Sequence, residues 1–363
     1  MERSFGEILE VINGKNQKKV ENPNGCYPIY GSGGIMGYAD AYICNANTVV
    51  IGRKGSINNP IFVEKPFWNV DTAFGLVAKE DILLPKYLYF FCKHFDFEQL
   101  NTTVTIPSLT KANLLKIKLK LPMLNEQKRI VTILESITKI ISMRKQQISY
   151  CNTLVKAQFV EMFGDPISNP MRWPMVELGE LTEVGSSKRI FEKEYVDDGI
   201  PFYRTKEIVE LSKGNSISTE LFITKERFDE IKTQYGVPKA GDLLISAVGT
   251  IGIIWIVDGK NDFYFKDGNL IRVDASERFN SVFMKELLET LIAESKKQIS
   301  SGTAYAALTI SGLIGMKIYS VPLDQQNKFA DFAAQVDKSK VAIQKSLDEM
   351  QLLFDSLMQK YFG

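Results

Sequence analysis

The sequence predicts an α+β protein: two mixed α/β globular domains separated by two long helices that form an antiparallel coiled coil, with a pseudo-two-fold internal repeat. Three observations lead there. Residues 125–164 and 324–363 each carry a helical pattern with no proline or glycine before a final Phe-Gly, at Phe163-Gly164 and Phe362-Gly363. Each pattern begins just past a proline, Leu121-Pro122 or Val321-Pro322. Short segments of the first half recur in the second half in the same order. The expected division is a first domain at 1–121, a helix at 122–165, a second domain at 166–321 and a second helix at 322–363. A length of 363 residues suits such a division.

The helices follow from periodicity. In the first, Ile130, Leu134, Ile137, Ile141, Ile148 and Val155 fall on one seam. In the second, Val336, Ile343, Leu347, Met350, Phe354 and Leu357 do the same. Steps of three and four over this length describe a helix that needs a partner helix. The simplest partner for each is the other; the alternative is that each docks on its own domain. Gly164-Asp165-Pro166 ends the first helix.

Elements of the first domain are read in chain order. Residues 5–11 suggest a short opening helix. Residues 27–30, 48–51, 61–63 and 73–77 suggest strands, with Gly- and Asn-rich turns between them. Residues 85–94 suggest a helix. Residues 109–121 close the domain and end in a strand alternating Lys116, Lys118 and Lys120.

The repeat is the strongest signal. Phe5-Gly6-Glu7-Ile8 aligns with Leu178-Gly179-Glu180-Leu181, and Pro28-Ile29-Tyr30 with Pro201-Phe202-Tyr203, both at an offset of 173 residues (178 − 5). Gly55-Ser56-Ile57 aligns with Gly249-Thr250-Ile251 at 194, and Leu109-Thr110 with Leu308-Thr309 at 199 (308 − 109). The Phe-Gly ends keep that last offset. Insertions therefore belong to the domains, while the helices hold their length.

Composition narrows the function. Net charge is +1, so any acidic partner must be met by local charge. Cys26, Cys44, Cys92 and Cys151 form no Cys-x-x-Cys pair, which fits reduced thiols in a cytoplasmic protein. No leader pattern opens the chain and no apolar run suits a bilayer, so no membrane role is expected. His94 is the only histidine and stands among Phe90, Phe91 and Phe95, which suggests packing rather than a metal site. No phosphate-binding loop, nucleophile elbow or Asn/Asp-Pro-Pro-aromatic motif is present. Gly31-Ser32-Gly33-Gly34-Ile35-Met36-Gly37 fails as a dinucleotide fingerprint, because Met36 stands where its last glycine belongs. Glu230-Ile231-Lys232 reads as a helix face. No catalytic residue, metal or cofactor is expected in this chain.

Three pairs of loops at matching positions suit contact with nucleic acid. In 52–59, Arg53, Lys54, Ser56, Asn58 and Asn59 combine cations with side chains able to pair with bases. Its counterpart retains Ser246 and Thr250 but neither cation. Thr102, Thr103 and Thr105 precede Leu109 as Ser301, Thr303 and Tyr305 precede Leu308, all in stretches without carboxylates. Ser32 lies in the third pair, opposite Arg204 and Lys206. Each loop read alone is equally a solvated turn.

Taken together, the chain resembles the specificity (S) subunit of type I restriction-modification systems. The likeness rests on the repeat, on residues 172–181 (Arg-Trp-Pro-Met-Val-Glu-Leu-Gly-Glu-Leu), on Gly199 to Arg204 and Gly241 to Ser246, on residues 121–130 and on the Phe-Gly ends. It covers nearly the whole chain. The resemblance implies two target-recognition domains, each reading half of a split double-stranded DNA site. The paired helices would act as a spacer, and the site would be asymmetric because the domains differ. It further implies docking of two methyltransferase (M) subunits, which bring S-adenosylmethionine, and two restriction (R) subunits, which use ATP and Mg. The rivals are a self-contained DNA-acting enzyme and a coiled-coil adaptor that does not touch nucleic acid. Two departures stand out: the first domain lacks the Trp-x2-Val run of Trp173 to Val176, and Gln325-Gln326-Asn327-Lys328 replaces Glu126-Gln127-Lys128-Arg129. A helix over 125–163 is about 58 Å long, against about 34 Å for one DNA turn.

Overall fold

Strand β1 (Glu2–Ser4) opens the chain, followed by α1 (Phe5–Ile8) and β2 (Leu9–Asn13). The computed structural model describes residues 2–100, 108–300 and 308–363. Its fold divides into two units, residues 1–147 with 343–363, and residues 148–342.

In the first unit β3 (Tyr27–Gly31), β4 (Gly34–Ala39), β5 (Thr48–Gly52), β6 (Ile61–Val63), β7 (Trp68–Asn69) and β8 (Ala73–Ala78) follow. Then come α2 (Pro85–His94), α3 (Lys111–Leu114), β9 (Lys118–Lys120) and the long α4 (Leu124–Phe163). One sheet runs in the order β2-β8-β5-β6, a second β4-β3-β7, and β1 pairs with β9. The central strand β5 is buried along its whole length, as Val49, Val50 and Ile51 require. The opening helix is shorter than the sequence suggested. It stops at Ile8 because Leu9 to Asn13 pair antiparallel with Ala78 to Phe74, a distant partner that overrides local helical pattern.

The second unit holds β10 (Met175–Glu177), α5 (Leu178–Leu181), β11 (Val184–Gly185), β12 (Ile200–Tyr203), α6 (Thr205–Ser212), β13 (Phe222–Ile223) and α7 (Lys225–Gln234). After these come β14 (Leu243–Ser246), β15 (Ile254–Ile256), β16 (Tyr264–Phe265), β17 (Leu270–Val273), α8 (Ser281–Ser300), α9 (Ile310–Ile314), β18 (Lys317–Tyr319) and the long α10 (Leu323–Phe362). Its sheets run β11-β17-β14-β15 and β13-β12-β16, with β10 paired to β18. Strand for strand this is the first unit again. The parallel pair β3·β7 has its counterpart in β12·β16, and the edge pair β1·β9 in β10·β18. The growth of the offset from 173 to 194 residues also has a structural cause: α6, β13 and α7 stand where the first unit has only the hairpin strand β4. Glu230 and Lys232 lie on α7, whose Ile231 is buried.

Each long helix supplies one part to each unit. In the first unit Ile130, Val131 and Leu134 of α4 share a core with Phe354, Leu357 and Met358 of α10 and with the aromatic face of α2. In the second, Phe159 and Phe163 of α4 share a core with Phe329 and Ala333 of α10 and with Phe283 of α8. The start of one helix therefore meets the end of the other in both units, which is the antiparallel arrangement. Of the seam residues, Ile130, Leu134, Ile137, Ile141 and Leu347 are buried, and Ile148, Val155, Val336, Ile343, Met350, Phe354 and Leu357 are half-buried.

The terminal Phe-Gly pairs have matching roles. Phe163 is fully buried, with its ring 4.9 Å from Phe283 and 5.8 Å from Phe329. Phe362 sits 5.1 Å from Tyr87 and 6.1 Å from Phe91. His94 lies 6.3 Å from Phe362, a packing position. Beyond Phe163, Gly164 takes a positive φ of 77°, which ends the helix. Its carbonyl accepts from the Tyr319 hydroxyl, and the Trp173 indole donates to the Phe163 carbonyl at 3.0 Å.

A pair of glutamines joins domain to helix in each unit. Gln127 is fully buried; its Oε1 accepts from the Leu84 N–H at 2.8 Å, and its Nε2 donates to the carbonyls of Ile82 and Pro122. Leu84 is the residue that caps α2. Gln326 repeats this: its Oε1 accepts from the N–H of Asn280, just ahead of α8, and its Nε2 donates to the Val321 carbonyl. The two heads differ at neighbouring positions and agree at this one, because a buried amide can serve a donor and acceptors together.

Candidate nucleic-acid interface

The 52–59 loop leaves the buried strand β5 at Gly52. A Cβ there would come within 2.5 Å of the Ser56 carbonyl and 3.0 Å of the Ser32 Cβ, so the absence of a side chain lets the 31–34 turn lie against this loop. Two candidate loops of the first unit thus form one surface. Ile57, buried, pins the loop from beneath. The Arg53 N–H donates to the Thr72 carbonyl at 2.8 Å, and its carbonyl accepts from the Leu109 N–H at 2.9 Å. Its guanidinium lies over the Phe74 ring, 5.8 Å from the ring centre. Lys54 bridges through its backbone to Ser108. Arg53, Lys54, Ser56 and Asn59 are all exposed, and neither cation meets a carboxylate at ion-pair distance among the described residues.

Asn58 departs from the sequence expectation. Its amide is engaged within the unit: Oδ1 accepts from the Phe97 N–H and Nδ2 donates to Asp96, each at 2.7 Å. It holds the loop instead of offering a free base-pairing edge.

The matching loop of the second unit follows β14. Here Ser246 is corrected from an interface residue to an internal one. It is fully buried, its hydroxyl donates to the Thr250 carbonyl, and it accepts from the Ile253 N–H at 2.9 Å. A hydroxyl closing the loop from within cannot touch a partner. Gly249 and Gly252, with φ of 74° and 83°, make the bend, and Thr250 stays exposed. Lys296 on α8 donates to the Ile251 carbonyl at 2.8 Å. Leu308 N–H donates to the Ala247 carbonyl at 3.3 Å, the counterpart of Leu109 on Arg53.

Arg204 is also changed by its surroundings. Its guanidinium pairs with buried Glu207 at 3.0 Å, and its own N–H donates to the same carboxylate at 2.8 Å. Glu207 holds the Arg204 guanidinium above its ordinary pKa, chiefly through their hydrogen bond. The pair closes the start of α6, so its charge is largely cancelled for an outside anion. Lys206 beside it is exposed. Thr102, Thr103, Thr105, Ser301, Thr303 and Tyr305 lie outside the described residues. Among the described residues no group of three His, Cys, Asp or Glu side chains could hold a metal ion, and no helix is long and apolar enough to cross a membrane.

What sequence reasoning missed are the anchors Gln127, Gln326 and Asp96; Lys296, which the sequence offers as a cation beside the second loop, bonds the Ile251 carbonyl. For the glutamines the signal was an identity at the shared offset of 199 residues (326 − 127).

Comparison with known proteins now decides the family. The model of the type I restriction modification DNA specificity domain matches residues 1–150 and again 170–350, one match for each half of the repeat. The chain belongs to that family. It is a specificity subunit, a DNA-recognition component without catalytic machinery of its own. A Haemophilus influenzae protein assigned as a type I restriction enzyme specificity subunit is 27% identical over 99% of this chain and 92% of its own length. The specificity subunit of a type I restriction enzyme of Methanocaldococcus jannaschii is 25% identical over 92% and 85%. Among solved structures, the type I S subunit of M. genitalium superposes with a TM-score of 0.61 at 18% identity, over 100% of this chain and 96% of that one. A chain from a type I system solved for its complex assembly and conformational transition gives 0.59 at 17%, over 100% and 97%. The fold of this specificity subunit is thus shared with both.

Proposed function

We propose that each unit reads one half of a bipartite, asymmetric site in double-stranded DNA. The observation that carries this is the same fold occurring twice with different loops. The first unit presents Arg53, Lys54, Ser56 and Asn59, with Ser32 beside them; the second presents Thr250 and Lys206. An exposed arginine suits guanine, an exposed asparagine suits adenine and a lysine suits phosphate, so the two units would prefer different bases. The helices α4 and α10 run through both units and are equal in length, 40 residues each, which supports a role in fixing the gap between half-sites. Chemistry would arrive with methyltransferase and restriction subunits docked on this chain, bringing S-adenosylmethionine to one and ATP with Mg to the other. A cytoplasmic location follows from work on cellular DNA.

Binding of duplex DNA by the full chain, titrated at several salt concentrations, tests the reading. Affinity should fall steeply with salt, and Arg53→Ala should relax base preference in one half-site only. Salt-independent binding, or equal loss at both halves, would count against it.

A further inference from the structure

We infer that Asn58 is a positioning residue for base recognition by the first unit: it locks the 52–59 loop to the 96–100 turn so that Arg53 and Lys54 are presented in one geometry. The inference rests on the proposed reading of that loop.

The loop is tied by hydrogen bonds at its two ends, besides buried Ile57 beneath it and the Lys54 backbone bridge to Ser108. At its start, Arg53 is held through its backbone to Thr72 and Leu109. At its end, Asn58 makes two bonds of 2.7 Å to residues 38 and 39 positions away, Asp96 and Phe97. The receiving side is itself rigid. Asp96 Oδ1 also accepts from the Glu98 N–H at 2.9 Å, and the Phe97 ring is fully buried 5.0 Å from Phe95. Between the two pins stand Lys54, Gly55, Ser56 and Ile57, and of these only Ile57 is buried. Gly55 has a positive φ of 76° with nothing near its missing Cβ, so its own side imposes no restraint. Asn58 is therefore the side-chain tie that sets the far end of the segment carrying the exposed cations.

The second unit ties its matching loop one position earlier and with other chemistry. There Lys296 reaches from α8 to the Ile251 carbonyl, and Ser246 closes the bend from inside. Both units thus tie this loop to a distant element, each with its own side chain.

The test uses the full chain and a pool of random-sequence duplexes, sequencing the bound fraction for wild type, Asn58→Ala and the double variant Asn58→Asp with Asp96→Asn. Asn58→Ala should lose about tenfold of its discrimination at the bases of one half-site, with the other half-site unchanged. Its salt dependence should match wild type, because no phosphate-facing cation is removed. The double variant should recover discrimination. The introduced amide at position 96 can donate to the introduced carboxylate at position 58, which still accepts from the Phe97 N–H. Unchanged base preference in Asn58→Ala, parallel loss at both half-sites, or no recovery in the double variant would overturn the assignment. A wild-type chain that enriches no sequence would instead overturn the reading beneath it.

Discussion

Replacing Gln127 with alanine removes the clamp between α4 and the first domain without touching any exposed loop. The side chain is fully buried and makes three hydrogen bonds, at 2.8 Å to the Leu84 N–H, 2.8 Å to the Ile82 carbonyl and 2.9 Å to the Pro122 carbonyl. One donor and two acceptors lose their partner. A buried polar group left unmet costs about 1–3 kcal/mol, and carbonyls keep a second lone pair for relief, so about 3 kcal/mol is expected in total. Native-state hydrogen exchange read by mass spectrometry measures this locally. Peptides covering 82–88 and 122–131 should open about a hundredfold more often, while peptides of the second unit should not change. Gln127→Glu should be at least as damaging, because a carboxylate keeps the acceptor and brings a charge to two carbonyls. A local change below about 0.5 kcal/mol, the ordinary scale for a surface position, would refute the clamp, as would equal loosening of the second unit.

Other outcomes follow from burial and charge. Burial pushes the Cys44 thiol up to about 12 and raises Cys92 as well, while Cys26 is exposed. Alkylation at about pH 8 should mark Cys26 in the native protein and reach Cys44 and Cys92 only after unfolding, as peptide mapping would show. Glu286 on α8 is raised by desolvation and then by Glu289 and Asp337, against the opposing pull of Lys285 and Lys156. An acid raised in the folded state binds its proton more readily there, so its charged form costs stability above the folded pKa and this cost fades as pH falls. Glu286→Gln should therefore raise Tm at about pH 8, and the gain should shrink toward about pH 5. Deleting four residues within 142–146 and its surroundings on α4 removes about 6 Å of helix. It should shift the gap between enriched half-sites or abolish binding; an unchanged gap would remove the spacer role.

How far the sequence revealed this molecule depended on whether the deciding partner was near or distant. The long helices were legible because proline before and glycine after bracket an unbroken seam, and α2 was found at Pro85–His94 because a proline opens it. The end of α1 was not, since β8, about seventy residues on, decides it. Ser246 reads as a polar loop residue, yet the bend at Gly249 and Gly252 turns its hydroxyl inward. Asn58 and Asp96 are joined only by the fold. Arg204 was different: Glu207 stands three residues later, a spacing that already offered it a partner at the helix start. The candidate loops could be placed from the sequence, while the bonding of their side chains could not, because periodicity reports which elements form and says little about which polar groups are consumed in holding them.

The most direct measurement of the central claim is the sequence enriched when the full chain selects from random duplexes. Two short, unlike elements separated by a gap of fixed length are expected, one element belonging to each unit. A single continuous motif, two identical elements, or no enrichment at all would contradict the account.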